Sequence, residues 1–149
     1  MASGIEIKYK KATFSFLLFD KYVAGIVLTG TEIKSVRQGQ VNFNDPFCIF
    51  RDDELWIKGM HIAVYSHGNI FNHEPLRERK LLLNRRELNK LEKKVKEKGF
   101  TIIPTRCFIS EKGYAKVEIA LARGKKTFDK REDIKKKDSK RNMDRLLKI

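Results

Sequence analysis

The chain has 149 residues, with 33 lysines and arginines against 19 acidic residues and a formal net charge of +14 at pH 7. This length suits one domain with a single core, and the excess positive charge favours a polyanionic partner such as nucleic acid or an anionic membrane surface. The longest apolar run, FLLF, is far too short to span a bilayer, and the first residues lack the apolar segment of a signal peptide, so we expect a cytoplasmic protein.

The N-terminal half is predicted to consist of strands interrupted by one helix. The strand predictions are TFSFLLF, GIVLT and the two halves of FCIFRDDELWIKG. Gly25 is expected at a bend or bulge, and Asp52-Asp53 at the turn within the third segment. Between them, GTEIKSVRQG predicts a helix with Thr31 as its N-cap and Gly39 as its stop.

The C-terminal half of the body predicts a second helix and a hairpin. In NRRELNKLEKKVKEKG, Asn84 and Glu87 have the spacing of a capping box and Gly99 ends the helix, whose charged face we interpret as solvated rather than RNA-bound. TRCFISEKGYAKVEIALA alternates apolar and polar residues around a turn at Gly113. Many short antiparallel strands predict a mainly β protein, a closed or nearly closed barrel with added helices, over residues 1–123.

Residues 124–149 form a separate basic tail, with 11 lysines and arginines against 5 acidic residues. Asp129 and Glu132 have capping-box spacing, which predicts a helix from about Lys130. The sizeable apolar residues are few, and a helix of this length is marginal without a packing partner. We therefore expect the tail to be disordered alone and helical when bound.

No arrangement typical of catalysis or metal binding is apparent. His61, His67 and His73 recur every six residues, which does not match the close pairs of zinc sites. Cys48 and Cys107 have no C-x-x-C spacing, which argues against zinc and for a reducing compartment. Phosphate-binding glycine motifs and nucleophile elbows are also missing. The sequence therefore predicts no metal, no cofactor and no enzyme, and an RNA-processing hydrolase has no support.

The segment HGNIFNHEPLRERKLLL has the composition of an RNA-binding loop. Phe71, Asn72 and His73 are suited to stacking on or hydrogen bonding with unpaired bases, although Phe71 could equally plug the barrel. The cations that follow are suited to phosphate contact: Arg77, Arg79 and Lys80.

Several motifs in order resemble the SsrA-binding protein family, also called small protein B. They are GIVLTGTEIKS, VNFNDPF, GMHIAVYSHGNIFNHEPLRERKLLLNRREL, GYAKVEIALARGKK and FDKREDIK, and they extend from about Val23 to the C-terminus. The resemblance implies a bacterial partner of transfer-messenger RNA (tmRNA) in trans-translation, with an oligonucleotide-binding-fold core. Family members bind the tRNA-like domain, replace its missing anticodon stem at the ribosomal decoding centre, and lay the tail as a helix in the empty mRNA channel.

The resemblance also implies two sets of site residues and a monomer with one RNA. The implied RNA-binding residues are Lys10, Lys11, Lys34, Arg37, Asn42, Asn69, Asn72, His73, Arg77, Arg79, Lys80 and Leu82. The implied ribosome-binding residues are Arg123, Gly124, Lys125, Lys126, Asp129, Lys130, Arg131, Ile134 and Lys135. The chain departs from the family pattern at Tyr9, Phe14, Val23, Gln40 and Pro46.

Two further alternatives are a general nucleic-acid coat protein and a membrane-surface protein. A coat protein needs only basic grooves and stacking aromatics, so the specific loop and the GKK…DKRED tail favour the adaptor. The tail lacks the broad apolar face that membrane binding needs, and we expect no membrane partner.

Overall fold

The computed structural model describes residues 5–66 and 72–125, which form seven strands and three helices. The strands are β1 (Glu6–Lys8), β2 (Phe16–Ile26), β3 (Val41–Arg51), β4 (Glu54–Ile62), β5 (Arg79–Leu82), β6 (Thr101–Ile109) and β7 (Ala115–Gly124). The helices are α1 (Lys11–Ser15), α2 (Gly30–Arg37) and α3 (Arg85–Lys98). Within these two ranges, no helix has both the length and the apolar character to cross a membrane.

Six of the strands close into an antiparallel barrel. Their order is β6-β3-β4-β5-β2-β7, and β7 pairs again with β6, while β1 pairs with residues 106–108 of β6, beyond Ile102, where β3 pairs with it. Alternate residues of each strand point inward and form the core, with fully buried Leu55, Ile57, Val117 and Ile119 among them. The predicted mainly β barrel with added helices is confirmed.

Two helices close opposite mouths of the barrel. Helix α2 covers the mouth formed by the end of β4 and the β6–β7 turn, and it buries Val36 in the core. Helix α3 covers the other mouth, where β3 turns into β4 and β7 ends, and it buries Leu88 and Leu91. We call these the α2 mouth and the α3 mouth.

Strand β2 differs from the two separate strands predicted for TFSFLLF and GIVLT. Strand β2 runs without interruption through Gly25, and its irregularity in register lies between Leu18 and Lys21 instead. Gly25 faces Leu82 of β5, whose Cβ would lie 3.3 Å from a Cβ at position 25, so the glycine permits close strand packing rather than a bulge. Residues 13–15 belong to α1, because burying Ala12 against the barrel favours one helical turn there.

The cap of α2 is Thr29, so the prediction of Thr31 as N-cap is wrong. The Thr29 hydroxyl accepts a hydrogen bond from the Glu32 backbone N–H, and the Glu32 carboxylate accepts one from the Thr29 N–H at 2.8 Å. Thr31 lies inside the helix. The predicted capping box of α3 is confirmed at Asn84 and Glu87.

The predicted turns are confirmed. Asp52 and Asp53 both have positive φ, 53° and 60°, as the tight turn between β3 and β4 requires. Gly113, with φ of 87°, lies in the turn between β6 and β7. Gly99 ends α3 in the left-handed conformation.

Candidate nucleic-acid interface

The α2 mouth is organised by a buried carboxylate that the sequence did not single out. Glu32 is fully buried, and its oxygens bind the guanidinium groups of Arg77 and Arg79, the former at 2.6 Å. Arg79 is also fully buried and donates to the carbonyl oxygens of Met60 at 2.6 Å and Pro75 at 3.0 Å. We call Glu32, Arg77 and Arg79 the Glu32 cluster. It fastens α2 to the segment before β5.

The electrostatics of the Glu32 cluster favour its charged form. Burial alone would raise the pKa of Glu32, but hydrogen bonds from Arg77, the Thr29 N–H and Arg79 outweigh it and lower the pKa to about 2. Burial lowers the pKa of Arg79, and the hydrogen bond to Glu32 opposes that shift. Glu32 therefore stays ionised at neutral pH, and two guanidinium groups share one carboxylate.

Asn72 and His73 have partners within the protein. The Asn72 side chain donates to the Tyr65 carbonyl at 2.8 Å and accepts from the Tyr65 N–H at 3.2 Å. The buried His73 ring lies 2.8 Å from the Thr31 hydroxyl and 2.9 Å from the Ile62 carbonyl. Because a carbonyl only accepts, Nε2 donates to Ile62, and Nδ1 forms the second hydrogen bond with the Thr31 hydroxyl. These bonds join residues 72–73 to residues 62–65, within the loop that connects β4 to β5 (residues 63–78).

These positions change how three predicted RNA contacts are interpreted. Arg79 is fully buried, and its guanidinium donates to carbonyl oxygens within the protein, so this structure does not present it at the surface, and its contact with phosphate stays a prediction. Asn72 is partly buried and His73 is buried, with their polar side-chain atoms directed to neighbouring protein groups. All three side chains shape the α2 mouth from beneath its surface.

Exposed polar side chains surround this mouth. Lys34 and Arg37 extend from α2, and Asn42 lies exposed at the start of β3. The Lys34 ammonium lies 5.4 Å from the centre of the Tyr65 ring, and an Arg37 Nη donates to the Gly113 carbonyl at 3.3 Å. Arg77 adds a side chain that is 36% exposed. The structure thus brings together four of the predicted RNA contacts in accessible positions.

The remaining predicted contacts lie elsewhere. Lys80 and Leu82 are on the outer face of β5, where Lys80 pairs with Glu54 at 3.7 Å and Leu82 is half exposed. Lys10 and Lys11 lie at the start of α1, on the outside of the barrel beside β6 and away from α2.

The beginning of the tail lies at the α3 mouth. Strand β7 extends through Gly124, one residue beyond the predicted boundary of the body. Arg123 donates to the Lys98 carbonyl at 3.1 Å and lies over Phe100, and the Lys125 N–H donates to the Ser15 carbonyl at 3.0 Å. The predictions that fall outside the described residues concern the tail helix and Asn69, Phe71, Lys126, Asp129, Lys130, Arg131, Ile134 and Lys135.

One signal could have revealed Glu32. Thr29 and Glu32 have the capping-box spacing. With Thr29 as the N-cap, the Glu32 side chain turns back toward the start of the helix. Its ion pairs with Arg77 and Arg79 join residues more than forty positions apart. Pairs at that separation cannot be found from local patterns.

The chain resembles known proteins along nearly its whole length. The family model described as SmpB protein matches residues 6–149. The SsrA-binding protein of Phocaeicola vulgatus is 57% identical over 144 residues, 97% of this chain and 96% of its own, and that of Bacteroides thetaiotaomicron is 56% identical over 145 residues, 97% of each chain. A solved chain from "tmRNA-SmpB: a journey to the center of the bacterial ribosome" is 43% identical, with a TM-score of 0.69, and the match covers 82% of this chain and 85% of that one.

Proposed function

The chain belongs to the SmpB protein family, and we propose from this membership that it binds the tRNA-like domain of tmRNA and delivers that RNA to stalled ribosomes in trans-translation. In this proposal the protein is an adaptor without catalytic activity that works in the cytoplasm as a monomer with one RNA. It stands in place of the missing anticodon stem at the decoding centre, while the tail occupies the empty mRNA channel.

The observation that carries the proposal is the separation of two basic regions by the length of the barrel. Lys34 and Arg37 extend from α2 at one mouth, and the chain leaves the barrel at Gly124 beside the other mouth. A rigid barrel between them keeps an RNA at the α2 mouth apart from a ribosomal partner of the tail. An adaptor that bridges two nucleic acids needs this arrangement, whereas a coat protein needs one continuous groove.

At the α2 mouth, the exposed groups are the proposed direct contacts with RNA. Lys34, Arg37 and Arg77 supply charge to phosphates, and Asn42 supplies an amide that can bind a base edge or a sugar. Lys80 and Leu82 extend this surface along β5. Lys10 and Lys11 are a second proposed phosphate contact, on the outside of the barrel beside β6.

Arg79, Asn72 and His73 are positioning residues in this proposal. The buried Glu32–Arg79 pair fixes α2 against the segment from Glu74 to Arg79, and the bonds of Asn72 and His73 fix the loop ends. A surface prepared in this way loses less conformational entropy when RNA binds. Asn69, which lies between the fixed ends, is proposed to contact the RNA directly.

The tail, residues 124–149, is the proposed ribosome-binding part. Arg123, Gly124 and Lys125 begin it, and its basic composition suits a channel lined by RNA phosphates. A helix satisfies its own backbone hydrogen bonds in a narrow channel. An intact message would occupy the same channel, so the tail could enter only when the channel is empty. In this proposal the tail therefore also tests whether mRNA is present.

A matched pair of tail variants tests the division of labour. Replacing Asp129, Lys130 and Arg131 with Ala is expected to leave binding to the tRNA-like domain within about two-fold of wild type, because the α2 mouth is unchanged. Tagging of a protein made from a truncated message should be abolished. The control has the same charge change further along the tail and replaces Asp138, Lys140 and Arg141. Tagging by the first variant equal to that by wild type would contradict the proposed role of the tail.

A further inference from the structure

Beside α2 lies a cleft whose lining, among residues 5–66 and 72–125, includes Arg37 but no other predicted RNA contact. Its walls are α2 and the β6–β7 turn, and its volume is about 330 Å³. Leu28 and Ile33 supply apolar surface, and Arg37, Lys112 and Tyr114 surround the opening. We call this the Tyr114 cleft. The volume lies at the lower end of the range for small-ligand sites, ~300–1,000 Å³.

Tyr114 is the most exposed large hydrophobic side chain of residues 5–66 and 72–125, at 65%. It follows the left-handed Gly113 and precedes the buried Ala115, so the turn directs its ring out of the barrel. An aromatic ring left exposed at a concave site, with cations on both sides, is the usual arrangement for stacking a nucleobase. A core role does not account for a side chain at this exposure.

The turn that carries Tyr114 is held by its own hydrogen bonds. The Ser110 N–H donates to the Tyr114 carbonyl at 2.8 Å, the Tyr114 N–H donates to the Ser110 hydroxyl at 3.2 Å, and the Gly113 N–H donates to the Ser110 carbonyl at 2.9 Å. Arg37 joins the turn to α2 through the Gly113 carbonyl at 3.3 Å. The ring is therefore presented from a fixed backbone, which lowers the entropic cost of stacking.

We infer that the Tyr114 cleft binds one unpaired nucleotide of the RNA, with the base stacked on the Tyr114 ring and the flanking phosphates held by Lys112 and Arg37. The apolar wall of Leu28 and Ile33 covers the opposite edge of the base. This inference rests on the proposed function, since it adds a subsite to the RNA surface at the α2 mouth.

The test measures binding of full-length variants to the isolated tRNA-like domain of tmRNA and to an unrelated tRNA over a series of salt concentrations. Tyr114→Ala should weaken binding to the tRNA-like domain by roughly ten-fold with an unchanged log–log salt slope, since a lost stack removes no phosphate contact. Tyr114→Phe should bind as wild type does. Lys112→Ala should reduce the salt slope by about 0.7 to 0.9, the value for one phosphate.

The inference is overturned if Tyr114→Ala binds as wild type does, or if Tyr114→Phe loses as much affinity as Tyr114→Ala. Lys34→Ala, on the exposed face of α2, separates this failure from that of the proposed function. If Lys34→Ala weakens binding and Tyr114→Ala does not, the proposed RNA-binding surface at the α2 mouth is supported, and the inference about the Tyr114 cleft is overturned. If Tyr114→Ala weakens binding to both RNAs alike, the cleft binds RNA in general, and the inference that it is a subsite for tmRNA is overturned.

Discussion

Removing the charge of Glu32 is the most informative perturbation of the α2 mouth. Glu32→Gln keeps the shape of the side chain but leaves Arg77 and the fully buried Arg79 without a counter-charge. Breaking one partner of a buried ion pair costs about 3–5 kcal/mol. We expect the free energy of unfolding at neutral pH to fall by that amount, because Arg79 cannot reach water.

The pH dependence of this loss follows from the direction of the pKa shift. The pKa of Glu32 is lowered from 4.5 to about 2, so the folded protein binds the proton more weakly than the unfolded chain does. The contribution of the carboxylate is fully present above pH 4.5 and is lost as the pH falls toward 2. A pKa shift of this size corresponds to a contribution of about 3 kcal/mol from the ionised Glu32 carboxylate to the free energy of unfolding. Wild type should therefore lose this stability over that window, and Glu32→Gln should not.

Urea unfolding of both proteins, followed by circular dichroism from about pH 6 to about pH 3, measures this difference directly. The control is Glu78→Gln, which removes a carboxylate from the exposed pairs with Arg51 and Lys58 and should change stability little. A difference between wild type and Glu32→Gln that stays constant over this pH range would refute the electrostatic reasoning. Equal stability of the two proteins at pH 6 would refute the structural role of the cluster.

Two further predictions concern the barrel. Gly59→Ala should destabilise the fold by at least ~1–3 kcal/mol, because φ is +77° and a Cβ would lie 2.5 Å from the Asn44 carbonyl oxygen. Gly30→Ala in α2, where a Cβ meets nothing within 4 Å, is the matched control and should be neutral or slightly stabilising in thermal unfolding. The Cys48 and Cys107 thiols should not react with a disulfide reagent at mildly alkaline pH until urea is added, because burial raises the pKa of both. Rapid reaction in native buffer would contradict their buried positions.

The sequence predicted the elements whose signals are local. The alternation from Ala115 to Leu121 determines which face of β7 enters the core, and the hairpin follows from it. The capping box at Asn84 and Glu87 and the left-handed Gly99 define α3 because each signal lies within a few residues of the helix end. Local periodicity and capping are therefore sufficient for these elements.

What the sequence did not reveal depends on distant contacts. Two threonines near the start of α2 could each cap it, and only the Glu32 spacing separates Thr29 from Thr31. In the sequence, Glu32 cannot be distinguished from a solvated helix residue. Only the fold brings it to Arg77, at the end of the β4–β5 loop, and to Arg79, at the start of β5. Likewise, α1 forms because burial of Ala12 against the barrel outweighs the local preference for strand.

The most direct test of the adaptor proposal is to sequence the RNA that co-purifies with the full-length protein from its own cells at near-physiological salt. Salt at that level weakens nonspecific phosphate contacts steeply, so selective partners are retained. The proposal predicts strong enrichment of tmRNA over its share of cellular RNA. Recovery of ribosomal RNA and tRNA in proportion to their abundance, without that enrichment, would contradict it and indicate a general basic coat protein.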